Sequence, residues 1–298
     1  MCSRPASYTA INFVLPNLFT FAPQYMNTLF AEYTPAAQLL PYVHSYWTGS
    51  FNVEKQKAFS QTVLPNGCIE LIIHTGTAHC RLAKDDGIWV TSPRFTLLGL
   101  YENAYEVKFD ENVTVFGIRF YPDGIYNTFA IPPATFTATY ENSFDVLGSQ
   151  FEIFCTRLAD AKETGKQVKL VDEYLAKQLG TNKKACDYAH HAMQLVRNSR
   201  GVLTPEQLAK ETCISPRQLQ RSFKAVYGIT PRDYIRLARI NTIHNYMLAG
   251  NQNLSSLSYE MNFADQSHFI KEYRTFTGIA PKKFLKHREN FIVNPVNI

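Results

Sequence analysis

Runs of β-branched and aromatic residues recur between residues 33 and 140, and short turn clusters separate them. The runs 70–75, 88–91, 95–98 and 113–120 are the clearest, and clusters such as Pro65-Asn66-Gly67 supply the turns. Short strands at this spacing are typical of antiparallel β structure that closes into a barrel or sandwich. We therefore predict a β-rich region in the first half of the chain.

The pattern becomes helical after residue 143. Phe151, Phe154 and Leu158 follow a spacing of three or four residues, and a second series of this kind runs through 168–179. These positions predict two amphipathic helices, which either join two domains or form a dimer seam.

These changes of pattern divide the chain, and the polar stretch 180–184 is the best domain boundary. The fold class is α+β in two domains, with an antiparallel β barrel or sandwich first, a helical linker next and an all-α region last. The predicted segments are an N-terminal extension of unassigned role (1–31), a β-rich domain (32–142), a helical linker with candidate dimerisation helices (143–184), a helical domain (185–290) and a tail (291–298).

The last third of the chain contains the same sequence pattern twice. The copies align at an offset of 49 residues in their first part and 50 in their second. One residue is therefore inserted at the start of the second helix of the second copy. The aligned pairs are Leu208 with Leu257, Ile214 with Phe263, Phe223 with Tyr273, Gly228 with Gly278, and Pro231 with Pro281. An accidental match of this extent is improbable.

Each copy has the signals of a helix-turn-helix. Thr204-Pro205 and Ser215-Pro216 each put a hydroxyl at a helix cap and proline in the first turn, and they lie eleven residues apart. This predicts a short helix at 205–212, a tight turn and a second helix at 216–227. A third start at Thr230-Pro231 begins one continuous helix to about residue 248, roughly 27 Å long at 1.5 Å per residue.

The second helix of each copy has one apolar and one cationic face when it is projected at ~100° per residue. An isolated helix of this kind is more often an ordinary solvated surface, but two matching copies favour DNA contact. Arg suits the guanine edge in the major groove and Gln suits adenine. The candidate base-reading residues are Arg217, Gln220, Arg221, Gln266, Ser267 and Lys271, and the candidate phosphate contacts are Lys224, Arg232, Arg274, Lys282 and Lys283.

The charge distribution agrees with this interpretation. Residues 1–195 hold 15 Lys and Arg against 18 Asp and Glu, a net charge of −3, whereas residues 196–298 hold 15 against 7, a net charge of +8. The last third should therefore attract a polyanion. No run of apolar residues is long enough to cross a membrane, and we expect no signal peptide.

The repeat resembles the DNA-binding domain of the AraC/XylS family of transcriptional regulators over about residues 190–287. The resembling residues include Leu208-Ala209, Ile214-Ser215, Phe223-Lys224, Pro231, Phe263 to Phe269 and Gly278-Ile279-Ala280-Pro281. The resemblance implies seven helices with two helix-turn-helix units in adjacent major grooves, in a bacterial cytoplasmic regulator. Ser258, Asn262 and Lys271 depart from the usual Ala, Gly and Arg, and Asn262 can still take the left-handed turn conformation.

Residues 33–140 also resemble the N-terminal domain of a subset of these regulators, and related members use a cupin-like domain of this kind to sense an effector. The resembling stretches are 39–47, 64–73 and 117–124. Glu70 and Arg119 lie inside apolar strands, where an unpaired charge is costly. They either pair with each other, line a pocket or sit on a partly exposed face. Trp47, Glu70, Trp89 and Arg119 form the candidate effector pocket.

We expect no metal ion, cofactor or catalytic group. His44, His74, His79 and Cys80 lack the HxH spacing of a cupin metal site, and the six cysteines have no CxxC spacing and fit a reducing compartment. The predicted partners are double-stranded DNA, a small-molecule effector, a second copy of the chain and RNA polymerase, with no membrane.

The sequence thus predicts a sequence-specific transcription regulator that is not an enzyme. Two alternatives remain. In one the N-terminal domain is catalytic, for example in an alkylation-repair regulator with an acceptor cysteine on zinc, although the four-cysteine cluster for that is missing. In the other the N-terminal domain is a protein interaction module rather than a sensor. A protein that only sequesters another regulator without reading DNA is disfavoured by the cationic helix faces.

Overall fold

The N-terminal half forms two β-sheets. The computed structural model describes residues 28–53, 57–83, 87–136, 140–181, 188–250 and 253–292. The strands are β1 (Thr28–Tyr33), β2 (Val43–Phe51), β3 (Phe59–Val63), β4 (Ile69–His74), β5 (Arg81–Ala83), β6 (Trp89–Thr91), β7 (Phe95–Leu98), β8 (Tyr105–Phe109), β9 (Val113–Phe120), β10 (Tyr140–Asn142) and β11 (Phe291–Ile292). The four strands predicted most clearly are present within a residue of the predicted bounds.

The six-stranded sheet has the order β1-β2-β9-β4-β7-β10, and the five-stranded sheet has the order β11-β3-β8-β5-β6. Neighbouring strands are antiparallel except β11, which pairs with β3 in parallel. One face of the six-stranded sheet meets the other sheet, where Trp47 and Val115 belong to the same apolar cluster as Val107 and Phe109. Its other face, with Tyr46, packs against helices. The fold therefore confirms the predicted sandwich.

Helices cover the outer face of the six-stranded sheet. They are α1 (Pro122–Phe129), α2 (Ser143–Leu147), α3 (Ser149–Asp160) and α4 (Thr164–Thr181), with a 3-10 turn at Pro133–Phe136. The Asp172 carboxylate of α4 accepts hydrogen bonds from the Tyr46 hydroxyl at 2.8 Å and the Ala36 N–H at 2.9 Å. Lys166, Lys169 and Lys177 lie on its exposed side. The apolar faces predicted for a linker or dimer seam thus pack on the chain's own sheet.

Seven further helices are described in the C-terminal region. They are α5 (Tyr188–Asn198), α6 (Pro205–Glu211), α7 (Pro216–Tyr227), α8 (Pro231–Leu248), α9 (Leu254–Glu260), α10 (Gln266–Thr277) and α11 (Pro281–Lys286), and a 3-10 turn follows at Arg288–Asn290. Thr204 and Gln207 form a capping box, and Ser215 and Thr230 cap α7 and α8. The predicted starts at three Thr-Pro and Ser-Pro pairs are confirmed because hydroxyl caps satisfy the free N–H groups there.

The two helix-turn-helix units are α6–α7 and α9–α10. Each turn contains a left-handed residue, Cys213 at φ 56° in the first and Asn262 at φ 57° in the second. The extra residue of the second copy lies in its turn, between Asn262 and the cap Asp265, so α10 begins 50 residues after α7 whereas α9 begins 49 after α6. Asn262 takes the conformation expected of it.

Two segment boundaries need correction. Residues 28–31, assigned to the N-terminal extension, belong to β1, and they pair with β2 from Phe51 to Thr48. Phe291–Ile292, assigned to the tail, pair with Thr62 and Val63 of β3, and Leu64 N–H donates to the Ile292 carbonyl at 3.1 Å. Residues 1–27 and 293–298, and most of the predicted boundary at 180–184, lie outside the described residues.

The helical region is joined to the β-sheets by side chains as well as by β11. Arg197 of α5 binds Asp123 of α1 through Nη1 at 2.9 Å, and its guanidinium lies 3.3 Å from the Tyr121 ring centroid. The Tyr234 hydroxyl of α8 donates to the Gly67 carbonyl at 3.2 Å, and Ala104 N–H donates to the Phe276 carbonyl at 3.1 Å. The helices α5, α8 and α10 therefore all contact the β domain.

Candidate nucleic-acid interface

The first recognition helix, α7, is strongly two-sided. Leu219, Phe223 and Tyr227 are buried in the helical core. The four predicted DNA-contacting residues Arg217, Gln220, Arg221 and Lys224 are exposed, and with Ser215 they line a shallow depression on the surface. The amphipathic period thus puts the cationic side chains together and away from the core.

The second recognition helix, α10, repeats this arrangement. Phe269, Tyr273 and Phe276 are buried. The predicted residues Ser267, Lys271 and Arg274 are exposed and line a second shallow depression. Gln266 is exposed in the first turn, and its Oε1 accepts a hydrogen bond from Ser255 Oγ of α9 at 3.2 Å. That bond fixes the carboxamide near the start of the helix.

The remaining predicted phosphate contacts lie at the starts of two other helices. Arg232 is exposed in the first turn of α8, and Lys282 and Lys283 are exposed in the first turn of α11. N–H groups at helix starts and nearby cations favour phosphate oxygens. These side chains flank the recognition helices in sequence and carry no base-reading geometry of their own.

The cations on the two recognition helices form no close ion pairs with carboxylates within the described part of the chain, although Lys224 is near enough to Glu102 to oppose burial, which raises the pKa of that carboxyl. None of the ion pairs found there includes Arg217, Arg221, Lys224, Lys271 or Arg274. The acidic group on the opposite side of α10, Glu272, is instead bound by Arg236 at 2.9 Å. The exposed charge of both helices is therefore available to a polyanion.

Sequence reasoning missed two arginines of α8. Arg236 binds Glu272 of α10, and Arg239 Nε donates to the Gly201 carbonyl at 3.1 Å. In the sequence they contribute only to the net charge of this region. Their position three residues apart in a largely apolar helix was a signal that both are paired, because charged side chains are seldom buried without a partner.

The candidate effector residues lie in the β domain, and three of the four share one region. Arg119 is fully buried, and its guanidinium binds Glu70 at 3.0 Å and Glu32 at 2.7 Å. Of the alternatives for Glu70 and Arg119, pairing is therefore confirmed and the partly exposed face is wrong. Although burial opposes it, Glu70 and Glu32 together hold the pKa of Arg119 above its usual value.

Trp47 lies near this pair on the inner side of the six-stranded sheet. It is paired with Gly117 across the strands, two positions along β9 from Arg119, and a side chain at Gly117 would overlap its indole ring. Trp89 is on edge strand β6 of the other sheet and pairs with Ala83 of β5. The residue before Ala83 in β5, Leu82, is buried between the two sheets. Trp89 thus points away from the space between the sheets, because successive strand residues face opposite sides. It does not join the other three.

The histidine and cysteine residues considered for a metal site are partly brought together. His74 Nε2 lies 3.6 Å from Cys80 Sγ and 3.2 Å from Ser92 Oγ, and the His74 and His79 rings stack at 4.6 Å. Burial lowers the pKa of His74 to about 4. Within the described ranges, no group of three or more His, Cys, Asp or Glu side chains is placed to hold a metal ion.

The described cysteines are free thiols. Cys68, Cys80 and Cys155 are buried, and Cys213 is exposed in the first helix-turn-helix turn. Burial raises the pKa of Cys68 to about 12 and also raises that of Cys155. Cys2 and Cys186 lie outside the described residues. None of the described helices combines the length and apolar character needed to cross a membrane.

Comparison with known families matches both halves of the chain. Residues 208–287 match a family described as a helix-turn-helix domain, and residues 31–142 match a family described as a domain of unknown function. The helix-turn-helix match begins within α6 and extends beyond α11, so it includes both helix-turn-helix units.

Several characterised relatives are transcriptional regulators. The chain is 28% identical over 81 residues to the HTH-type transcriptional regulator ArgR of Pseudomonas aeruginosa, covering 27% of this chain and 25% of ArgR. It is 24% identical over 161 residues to the bifunctional transcriptional activator/DNA repair enzyme AdaA of Bacillus subtilis, covering 49% of this chain and 76% of AdaA. The match to ArgR therefore spans about a quarter of that relative's length.

Among solved structures, ToxT from Vibrio cholerae covers 81% of this chain and 98% of its own, with 14% identity and a TM-score of 0.47. The helix-turn-helix family match at residues 208–287 coincides with the repeated capped helices. The C-terminal third of the chain is a tandem helix-turn-helix domain that is similar to those of AraC/XylS transcriptional regulators.

Proposed function

We propose that this protein is a sequence-specific DNA-binding regulator of transcription whose two recognition helices, α7 and α10, enter neighbouring major grooves. The observation that carries the proposal is the pair of exposed cationic faces, each on the second helix of a helix-turn-helix and each without a close ion pair among the described residues. A single face of this kind is common on soluble proteins, whereas two matched faces in tandem suit a duplex.

The linking helix has a suitable length for this purpose. Helix α8 has 18 residues, so it extends roughly 27 Å at 1.5 Å per residue. One turn of duplex DNA is about 34 Å, and recognition helices that approach the same side of the duplex lie about that far apart. Because α7 precedes α8 and α10 follows it, a linking helix of this length is consistent with contact at two consecutive turns of the major groove.

Selection of genomic or random DNA fragments by the purified protein tests the proposal. It is performed at about 150 mM salt, because cationic surfaces bind any sequence at low salt. We expect enrichment of two short boxes about 10 base pairs apart, centre to centre. Retention of DNA without any enriched sequence would leave only non-specific phosphate binding and would contradict the proposal.

Arg221 and Lys224 provide a matched pair on the same exposed face of α7. Arg221→Ala should cost about 1–3 kcal/mol at the selected operator and relax one base position, since a base contact is lost. Lys224→Ala should weaken the operator and random DNA by similar factors and reduce the salt slope by about one. Titration of both DNAs at several salt concentrations checks this. Equal losses for Arg221→Ala on both DNAs would rule it out as a base reader.

The β domain is proposed to bind a small effector at Arg119 and Trp47. Arg119 Nη2 and Trp47 Nε1 are buried donors that make no hydrogen bond with any described residue. Buried donors of this kind are costly unless an acceptor meets them. Two carboxylates already neutralise the guanidinium, so a ligand with neutral acceptor oxygens suits the site better than an anion.

A continuous set of contacts connects this site to α8. Glu70 accepts a hydrogen bond from Asn66 Nδ2 at 2.6 Å, and Asn66 Oδ1 accepts one from Cys68 N–H at 3.0 Å. The Gly67 carbonyl in the same turn accepts the Tyr234 hydroxyl. A ligand that displaces the Arg119–Glu70 pair would therefore disturb the turn on which α8 rests, and this supports effector control of DNA binding.

The relation to AdaA raises an enzymatic alternative. The thiols of Cys68 and Cys155 are buried with raised pKa values, which makes them poor nucleophiles. No observation on the described residues favours catalysis, so regulation is the function we propose. A bacterial regulator of this kind would act in the cytoplasm on chromosomal DNA, with RNA polymerase and a second copy of the chain as further proposed partners.

A further inference from the structure

Helix α8 is the element that both helix-turn-helix units share, and most of its surface is buried. Ten of its side chains after the proline at its start are buried, including those of Ile235 and Thr242. Arg236 and Arg239 are charged residues in the middle of the helix, and both are partly buried. Their contacts therefore bear on how the two units are held relative to each other.

Arg236 attaches α8 to the second recognition helix. Its Nε lies 2.9 Å from Glu272 Oε1 of α10, and its Nη1 lies 3.3 Å from Asp233 of its own helix. The guanidinium also lies 5.1 Å from the ring centroid of Phe276, one turn further along α10. The Glu272 side chain is only 12% exposed. Because the guanidinium is planar and contacts α10 at two positions, it restrains the rotation of α10 about α8.

Arg239 contacts the loop between α5 and α6 and the turn of the second unit at once. Its Nε donates to the Gly201 carbonyl at 3.1 Å, in the loop that leads into the first helix-turn-helix. Its guanidinium lies 4.9 Å from the ring centroid of Phe263, in the turn of the second helix-turn-helix. Burial lowers the pKa of Arg239, but this guanidinium stays charged at neutral pH. One side chain thus spans the junction of the two units.

The loop on the first side is closely fitted to α8. Gly201 has φ +75°, and a Cβ there would come within 2.6 Å of the backbone nitrogen of Arg239 and the carbonyl oxygen of Ile235. The Thr242 hydroxyl donates to the Arg200 carbonyl at 3.3 Å, one turn along α8 from Arg239. The first unit therefore cannot shift along α8 without breaking these contacts.

We infer that Arg239, with Arg236, is a positioning residue that fixes the separation and relative angle of the two recognition helices, and so selects operators with one spacing between their boxes. This inference rests on the proposed function. Inserting one base pair moves the second box about 3.4 Å along the axis. It also rotates that box by roughly 35° about the axis, at 10 to 10.5 base pairs per turn. A rigid pair of helices cannot follow both displacements, whereas a loosened pair can.

The test uses the full-length protein and the two-box operator obtained by selection. Three probes carry the selected spacing, one inserted base pair and one deleted base pair, and a fourth carries the first box alone. Wild type should bind the altered spacings at least ~10-fold more weakly than the selected one, as loss of base contacts in one box predicts. Its affinity for the single box gives the contribution of the first unit alone.

Arg239→Ala should weaken binding at the selected spacing and reduce the spacing penalty to about 3-fold or less, while single-box affinity stays within about 2-fold of wild type. Arg239→Lys keeps the charge without the planar guanidinium and should restore the spacing preference only in part. Glu272→Gln removes the carboxylate that holds Arg236 and should relax spacing in the same direction. The matched control is Arg157→Ala on α3, an exposed arginine distant from these contacts.

The outcomes separate the two levels of the argument. If wild type selects no two-box sequence, the proposed function fails before any variant is compared. If wild type selects one but Arg239→Ala and Glu272→Gln weaken every probe, including the single box, by the same factor, these residues only support the fold and the inference is overturned. If circular dichroism shows that Arg239→Ala does not fold, Glu272→Gln and Arg239→Lys test the inference instead. The quantity compared is the affinity for the selected spacing divided by the affinity for each altered spacing.

Discussion

Arg197→Ala is expected to lower the free energy of unfolding by about 3–5 kcal/mol at neutral pH, because it leaves a fully buried carboxylate without its partner. Asp123 has no exposed surface, and Arg197 Nη1 lies 2.9 Å and 3.2 Å from its two oxygens. The variant also loses the contact with the Tyr121 ring. Chemical denaturation of the variant and wild type measures the difference.

The paired variant Arg197→Ala/Asp123→Asn separates the charge effect from the loss of packing. It should be more stable than Arg197→Ala alone by about 1–3 kcal/mol, because it no longer buries a carboxylate that has lost its arginine and keeps His190 Nδ1 at 3.6 Å. If the double variant is as unstable as the single one, packing of the arginine side chain rather than the orphaned carboxylate explains the loss.

The pH dependence of Arg197→Ala has a definite sign. Burial raises the pKa of the Asp123 carboxyl, against the opposing effect of Arg197 and then His190. Without Arg197 the pKa rises further. A carboxyl whose folded pKa lies above its unfolded value contributes stability at low pH, and that contribution is lost as pH rises through the folded pKa. The deficit of Arg197→Ala relative to the double variant should therefore shrink as the pH is lowered.

Gly124→Ala should be destabilising by more than about 3 kcal/mol, or should prevent folding, because the added Cβ would overlap a backbone atom. That atom is the Tyr42 carbonyl oxygen, which already accepts a hydrogen bond from Tyr121 N–H at 3.0 Å. Neither backbone can move without opening the junction between α1 and β2. Thermal unfolding of the variant measures the effect.

Gly165→Ala is the matched control, since nothing lies within 4 Å of the Cβ position there and the residue is in helix α4. It should be neutral or stabilising by up to about 1 kcal/mol, as alanine is the better helix former. A Gly124→Ala protein as stable as wild type would show that the α1 junction is looser than its contacts indicate.

Much of the helical region could be predicted because its signals are local. A hydroxyl cap followed by proline fixes a helix start within one residue, and the Thr204, Ser215 and Thr230 caps all do so. The left-handed turn at Asn262 was also predictable, since Asn tolerates that conformation. The exposed positions of the predicted DNA-contacting residues follow from the helical period alone, whereas their roles in base or phosphate contact stay predictions.

The β domain was less predictable because its decisive contacts are long-range. Glu32 lies 87 residues from Arg119, and nothing near it in sequence marks it as an ion-pair partner. Trp89 was grouped with Trp47 because both are aromatic residues in strands, but strand register decides the face, and a shift of one residue reverses it. The Arg197–Asp123 pair joins positions 74 residues apart in two different domains.

The pairing of β11 with β3 has a mechanical consequence. The helical region is attached to the β domain at its first helix, through Arg197, and again after its last helix, through Phe291 and Ile292. A segment held at both ends cannot swing about a single hinge. The Tyr234–Gly67 and Ala104–Phe276 hydrogen bonds hold it between these ends, so any large reorientation on DNA requires several contacts to open. Phe291 of this strand is itself buried. Release of the strand alone would therefore leave the helical region tied to the β domain through the Arg197–Asp123 ion pair and these two hydrogen bonds, and we expect the duplex to adjust to the fixed recognition helices more than the helices to the duplex.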